Sequence, residues 1–108
     1  MIYENRDERN VCMKRYELQK VVIKNNKTEE NIIIFMSEDR KEVEVKMNLQ
    51  AKSILQLTIS EKPDIEDNIY MIDYQMEKNS YYITKKTIVN EKVVYEIEYR
   101  YLIREVKN

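Results

Sequence analysis

The chain has 108 residues, 43% of them hydrophobic and 36% charged, with 19 basic side chains against 20 acidic ones. That reads as one domain over residues 1–108, too apolar and too evenly charged for a disordered chain. A net charge of −1 supplies no global pull toward nucleic acid or an anionic membrane, and one cysteine with no histidine excludes an internal disulfide and the usual zinc sets.

Glycine is absent and Pro63 is the single proline, so phosphate-cradling glycine loops are excluded and turns needing positive φ fall to Asn, Asp or Lys. The excess of Ile, Lys, Asn, Tyr and Glu fits an AT-rich genome. Residues 1–10 are polar and lack the apolar core of a signal peptide. No run approaches the ~20 apolar residues of a membrane span. A cytoplasmic, reducing setting is the expectation.

In chain order, residues 1–10 read as a frayed start, with Ile2 and Tyr3 the candidates to tuck in and Asp7 a candidate helix cap. Residues 11–24 read as a strand, with a bulge near Gln19–Lys20 to reconcile Tyr16 and Leu18 with Val21 and Ile23. A helix over the same residues is the open alternative. The NNKTEEN stretch after Ile23 reads as a hairpin entry. Asn31 to Met36 is apolar on both parities, which predicts a strand covered on both faces or near the middle of a closed sheet.

Residues 42–50 alternate, with Val43, Val45, Met47 and Leu49 inward, and residues 54–60 alternate again, with Leu55, Leu57 and Ile59 inward. Two strands paired through Leu49 and Leu55 are the expectation. Residues 61–68, EKPDIEDN, are the longest break. Residues 68–76, 81–89 and 92–106 then form three strands. The last is the clearest, with Val93, Tyr95, Ile97, Tyr99, Tyr101 and Ile103 on one parity. Loop length and pattern agree on a register that sets Tyr74 beside Ile83 and Ile83 beside Tyr99. The fold class is all-β: a small antiparallel meander of about six or seven strands, in a closed or half-closed barrel, with a two-layer sandwich as the alternative.

The sites follow from the faces. The inward tyrosines are Tyr70, Tyr74, Tyr81, Tyr95, Tyr99 and Tyr101, which read first as core pairs. A ligand pocket lined by Tyr70, Tyr74, Tyr95 and Tyr99, with the inward Lys85, is the second reading. The outer face of the final hairpin carries Tyr82, Thr84, Lys86, Glu96, Glu98, Arg100 and Arg104, with Tyr82 opposite Arg100. Tyr and Arg are enriched in binding hot spots, so Tyr82 and Arg100, rimmed by Thr84, Lys86 and Glu98, are the candidate partner-binding residues.

Asp64, Glu66, Asp67 and Asn68 lack the glycine and distal glutamate of an EF-hand loop and read as a solvated turn. Cys12 reads as a small buried hydrophobe, although Lys14 and Arg15 stand close in sequence. No catalytic constellation, metal set or cofactor motif is legible. The chain is expected to be a non-enzymatic module that docks on another protein, as a small inhibitor, adaptor or assembly subunit. Self-association is an open possibility, and a phage or mobile-element origin is compatible. A small barrel binding an apolar or aromatic molecule is the alternative.

Overall fold

The computed structural model describes residues 14–62 and 68–107. Five strands, β1 (Lys14–Lys24), β2 (Lys27–Ser37), β3 (Ile69–Glu77), β4 (Ser80–Val89) and β5 (Lys92–Lys107), and one helix, α1 (Arg40–Ser60), make up the fold. The strands form one antiparallel sheet in the order β2-β1-β5-β4-β3. The sheet is open rather than closed into a barrel, since β2 and β3 are its edges.

The expected meander is present in the expected register. Tyr74 faces Ile83, Ile83 faces Tyr99 and Tyr81 faces Tyr101. The β4–β5 turn is one residue tighter than the expected loop at 90–92, because Asn90 and Glu91 adopt φ of 52° and 65° and Lys92 already pairs with Val89. A shift after Thr87 absorbs the difference. The β1–β2 turn uses the same geometry at Asn25 and Asn26, whose φ values are 49° and 67°. Asparagine tolerates this region better than most residues and stands in for the missing glycine at three of the four positions, while Glu91 takes the fourth, outside the expected Asn, Asp or Lys. Asn25 also joins β5, donating its N–H to the Glu96 carbonyl and accepting the Glu96 N–H on its side chain.

β1 is a strand, and the helix alternative for residues 11–24 is excluded from Lys14 onward. Its pairing with β5 runs without interruption. Both register shifts against β1 come from extra residues in β2, between Leu18 and Gln19 and between Val22 and Ile23. Leu18 and Val22 therefore share the face of Ile103 and Tyr99, while Val21 and Ile23 share the face of Arg100 and Glu98. The doubly apolar run of β2 has the same origin. Its bulges, not cover on two faces, explain it, since β2 is an edge strand and Ile32, Ile33 and Met36 are exposed.

The main correction concerns residues 40–60, which form α1 and not the two strands expected at 42–50 and 54–60. The Asp39 side chain accepts the Lys41 N–H at 3.0 Å, and Ser37 Oγ accepts the Asp39 N–H at 3.0 Å, so the helix start is capped. Glu42 lies in the first turn, where a negative charge suits the helix dipole. Residues 51–53, between the two expected strands, contain no Gly, Pro, Asn or Asp, and Ala51 and Lys52 carry the helix through. Val43, Met47, Ala51, Leu55 and Thr58 form the buried stripe. Val45, Leu49, Leu57 and Ile59, expected inward, are exposed on other faces. A period of two along a helix must scatter apolar residues in this way.

α1 lies across β1, β2, β4 and β5 on one face of the sheet. The core beneath it is Leu18, Val43, Met47, Ala51, Leu55, Tyr81, Ile83, Tyr101 and Ile103, with Tyr16, Phe35, Ile72 and Tyr99 packed around them. Arg40 ties the helix start to the β3–β4 turn, donating to the Lys78 carbonyl at 3.0 Å and to the Asn79 side chain. No helix among the described residues is long and apolar enough to cross a membrane. Cys12, the frayed start at 1–10 and Pro63, Asp64, Glu66 and Asp67 of the acidic loop lie outside the described residues.

Candidate partner-binding face

Because α1 covers one face, the alternate residues of every strand form a second face that no described helix or strand covers. Its centre is set by the β4–β5 register. Tyr82 faces Arg100, Thr84 faces Glu98 and Lys86 faces Glu96. β3 adds Gln75 beside Tyr82 and Asp73 beside Thr84, and β1 adds Val21 beside Arg100. All five residues expected to bind a partner stand on this face, and each is half-buried rather than fully solvated.

The Arg100 guanidinium carbon lies 5.6 Å from the centroid of the Tyr82 ring, within reach of a cation–π contact. Arg100 Nη2 donates to Glu98 Oε1 at 3.1 Å. That hydrogen bond is the main reason the guanidinium is held above its ordinary pKa. Arg100 Nε is buried without a partner among the described residues, so one donor of the fork remains unsatisfied. The arrangement holds an aromatic ring and a planar cation in fixed relation on a rigid hairpin, with Glu98 fixing the cation from its own strand. A depression of about 90 Å³ is lined by Asp73, Tyr74, Gln75, Tyr82, Thr84 and Glu98. Another of about 200 Å³ is lined by Met71, Asp73, Thr84, Lys86 and Glu96. The part played by β3 could have been read from the 77–80 turn, which already fixes Gln75 opposite Tyr82.

The candidate pocket residues occupy the other face. Tyr81 and Tyr101 are core residues, at 3% and 0% exposure. Tyr74 is exposed and lies beside Tyr81, with ring centroids 6.3 Å apart at 22°. The Lys85 ammonium sits 4.0 Å from the centroid of Tyr70 and pairs with Glu61 at the end of α1. Tyr99 is half-buried, and burial followed by the nearby Glu61 charge raises its pKa. Tyr95, exposed, lies opposite Thr87. The fold thus gathers Tyr70, Lys85 and Tyr99 near Glu61 and gives Tyr74 a different neighbour. Lys85 does not snorkel to water as an inward lysine near a sheet end is expected to: its side chain is 14% exposed and ends between the Tyr70 ring and the Glu61 carboxylate.

Among the described residues no group of three or more His, Cys, Asp or Glu side chains could hold a metal ion. Comparison with protein families, with curated proteins and with solved structures finds no match.

Proposed function

We propose that the protein is a non-enzymatic docking module that engages another protein through the sheet face opposite α1, within the cytoplasm. The observation that carries this reading is the fixed pair of Tyr82 and Arg100 at the centre of that face. A ring and a forked cation held by a hairpin lose little conformational freedom on binding. Thr84, Lys86 and Glu98 supply the polar rim. Ile33, Met36, Met71 and Val94 add exposed apolar area along the same face. An inhibitor, an adaptor or an assembly subunit would each use such a surface.

Affinity capture with the wild type and a Tyr82→Ala/Arg100→Ala variant tests this. The variant should keep its fold and lose the captured partner. A variant that captures the same partner with unchanged affinity removes this face from the reading.

The ligand-binding reading ranks second. Tyr81 and Tyr101 are spent in the core, and the Tyr70 face is already engaged by Lys85.

A further inference from the structure

The two edges of the open sheet are built differently. β2 begins at Lys27, carries Glu29 and Glu30, and bulges twice against β1. β3 runs from Ile69 to Glu77 in unbroken register, with no lysine, no proline and no bulge. Charged side chains (above all lysine), prolines and bulges are the devices by which natural sheets blunt an edge. β3 has only the carboxylates of Asp73 and Glu77.

Its backbone also faces outward in a definite pattern. The two-residue turn makes Glu77 and Ser80 a hydrogen-bonded pair, so Glu77, Gln75 and Asp73 direct their N–H and C=O groups at β4. Tyr70, Ile72, Tyr74 and Met76 then direct theirs away from the sheet. The Tyr74 N–H agrees, since it donates 2.9 Å to the Asp73 side chain instead of to β4. Among the described residues no strand pairs with this side of β3. Tyr74 and Met76, at 59% and 60% exposure, are left uncovered beyond α1.

We propose that this edge pairs with the same edge of a second copy, antiparallel, with Tyr74 facing Tyr74 across a twofold axis normal to the sheet. The strand is self-complementary in that register. Ile72 faces Met76 of the second copy, so apolar meets apolar on the face that carries the helices. Asp73 faces Gln75, a carboxylate against an amide donor, and Glu77 faces Met71. β3 carries two carboxylates and no cation, so a second copy must keep its carboxylates apart, and this register does. Placing Asp73 on the axis sets carboxylate against carboxylate. Placing Ile72 there sets Met76 against Asn68 and leaves the more exposed end of the strand uncovered. Pairing replaces the Asp73 cap on the Tyr74 N–H with a carbonyl. The contact is isologous, as in most small homodimers. It rests on the β3 edge and not on the Tyr82–Arg100 face. It would place two such faces side by side on one surface.

Sedimentation equilibrium on the full chain tests the proposal, with a reversible dimer expected. Tyr74→Pro removes an N–H that the β3–β4 ladder does not use, so it should give a monomer with an unchanged far-UV circular dichroism spectrum. Should that variant fail to fold, Met76→Lys places a lysine on the edge without touching the backbone. It is expected to raise the dissociation constant at least about tenfold. A monomer at every concentration overturns the proposal, whether or not the edge is then taken by a strand of another protein. A dimer that Met76→Lys leaves unchanged overturns it too.

Discussion

Tyr82 and Arg100 are register partners on β4 and β5, and the guanidinium carbon of one lies 5.6 Å from the ring centroid of the other. Neither packs in the core beneath α1. Replacing both by alanine should therefore shift the melting temperature little, while weakening affinity for a captured partner by about 2 kcal/mol or more if they act as hot spots. Calorimetric melting and titration of the two proteins side by side check both halves.

The helix changes which apolar residues matter for stability. Met47 and Ile97, at 1% and 8% exposure, should each cost ~2–5 kcal/mol when cut to alanine. Leu57 is 60% exposed on α1, so Leu57→Ala should stay within roughly 0.5 kcal/mol, where a strand at 54–60 would have made it a core residue. Urea midpoints for the three variants decide the matter. A large loss for Leu57→Ala would argue for the two-strand arrangement.

Tyr101 makes stability depend on alkaline pH. Burial, then the nearby Tyr99 and Glu30, push its hydroxyl up to about 12 from 10.0. The folded-state pKa is raised, so the contribution is complete below about pH 10 and is lost as pH climbs toward 12. Two units correspond to ~2–3 kcal/mol. Tyr101 Oη has no hydrogen-bond partner among the described residues. Tyr101→Phe should therefore cost little at neutral pH and should flatten the alkaline decline. Unfolding free energies measured from pH 8 to 12 for both proteins supply the check.

Lys85 holds the end of α1 to the sheet through Glu61, with its ammonium over the Tyr70 ring of β3. Glu61 is more than half exposed, so Glu61→Gln should cost only about 0.5–1 kcal/mol. Lys85→Met keeps an apolar stem beside the Tyr70 ring and should cost less than Lys85→Ala. Chemical denaturation of the three variants ranks them.

The last three strands were legible because three independent features agree there: turn length, parity and residue type. Tyr74, Ile83 and Tyr99 fall in line as those features require. Residues 40–60 were misleading because Val43, Val45, Met47 and Leu49 satisfy a period of two by sequence. Of these four, only Val43 and Met47, four apart, are buried in the helix. Two signals could have corrected the reading. Asp39 stands where a helix cap belongs, and residues 51–53 offer no Gly, Pro, Asn or Asp. The closed barrel failed with that hairpin, since the cover for the apolar face comes from α1 and both edges stay open. For the candidate site, the Tyr82–Arg100 opposition was readable from register alone. The hold of Glu98 on Arg100 was not, because it depends on side-chain rotamers along a single strand.

A photoreactive residue placed at Thr84, on the face opposite α1, tests the account most directly when compared with the same residue at Leu49 on the exposed side of α1. The account predicts a specific protein adduct from position 84 that mass spectrometry identifies and that Tyr82→Ala/Arg100→Ala abolishes, with none from position 49. An adduct from position 49 alone would contradict it.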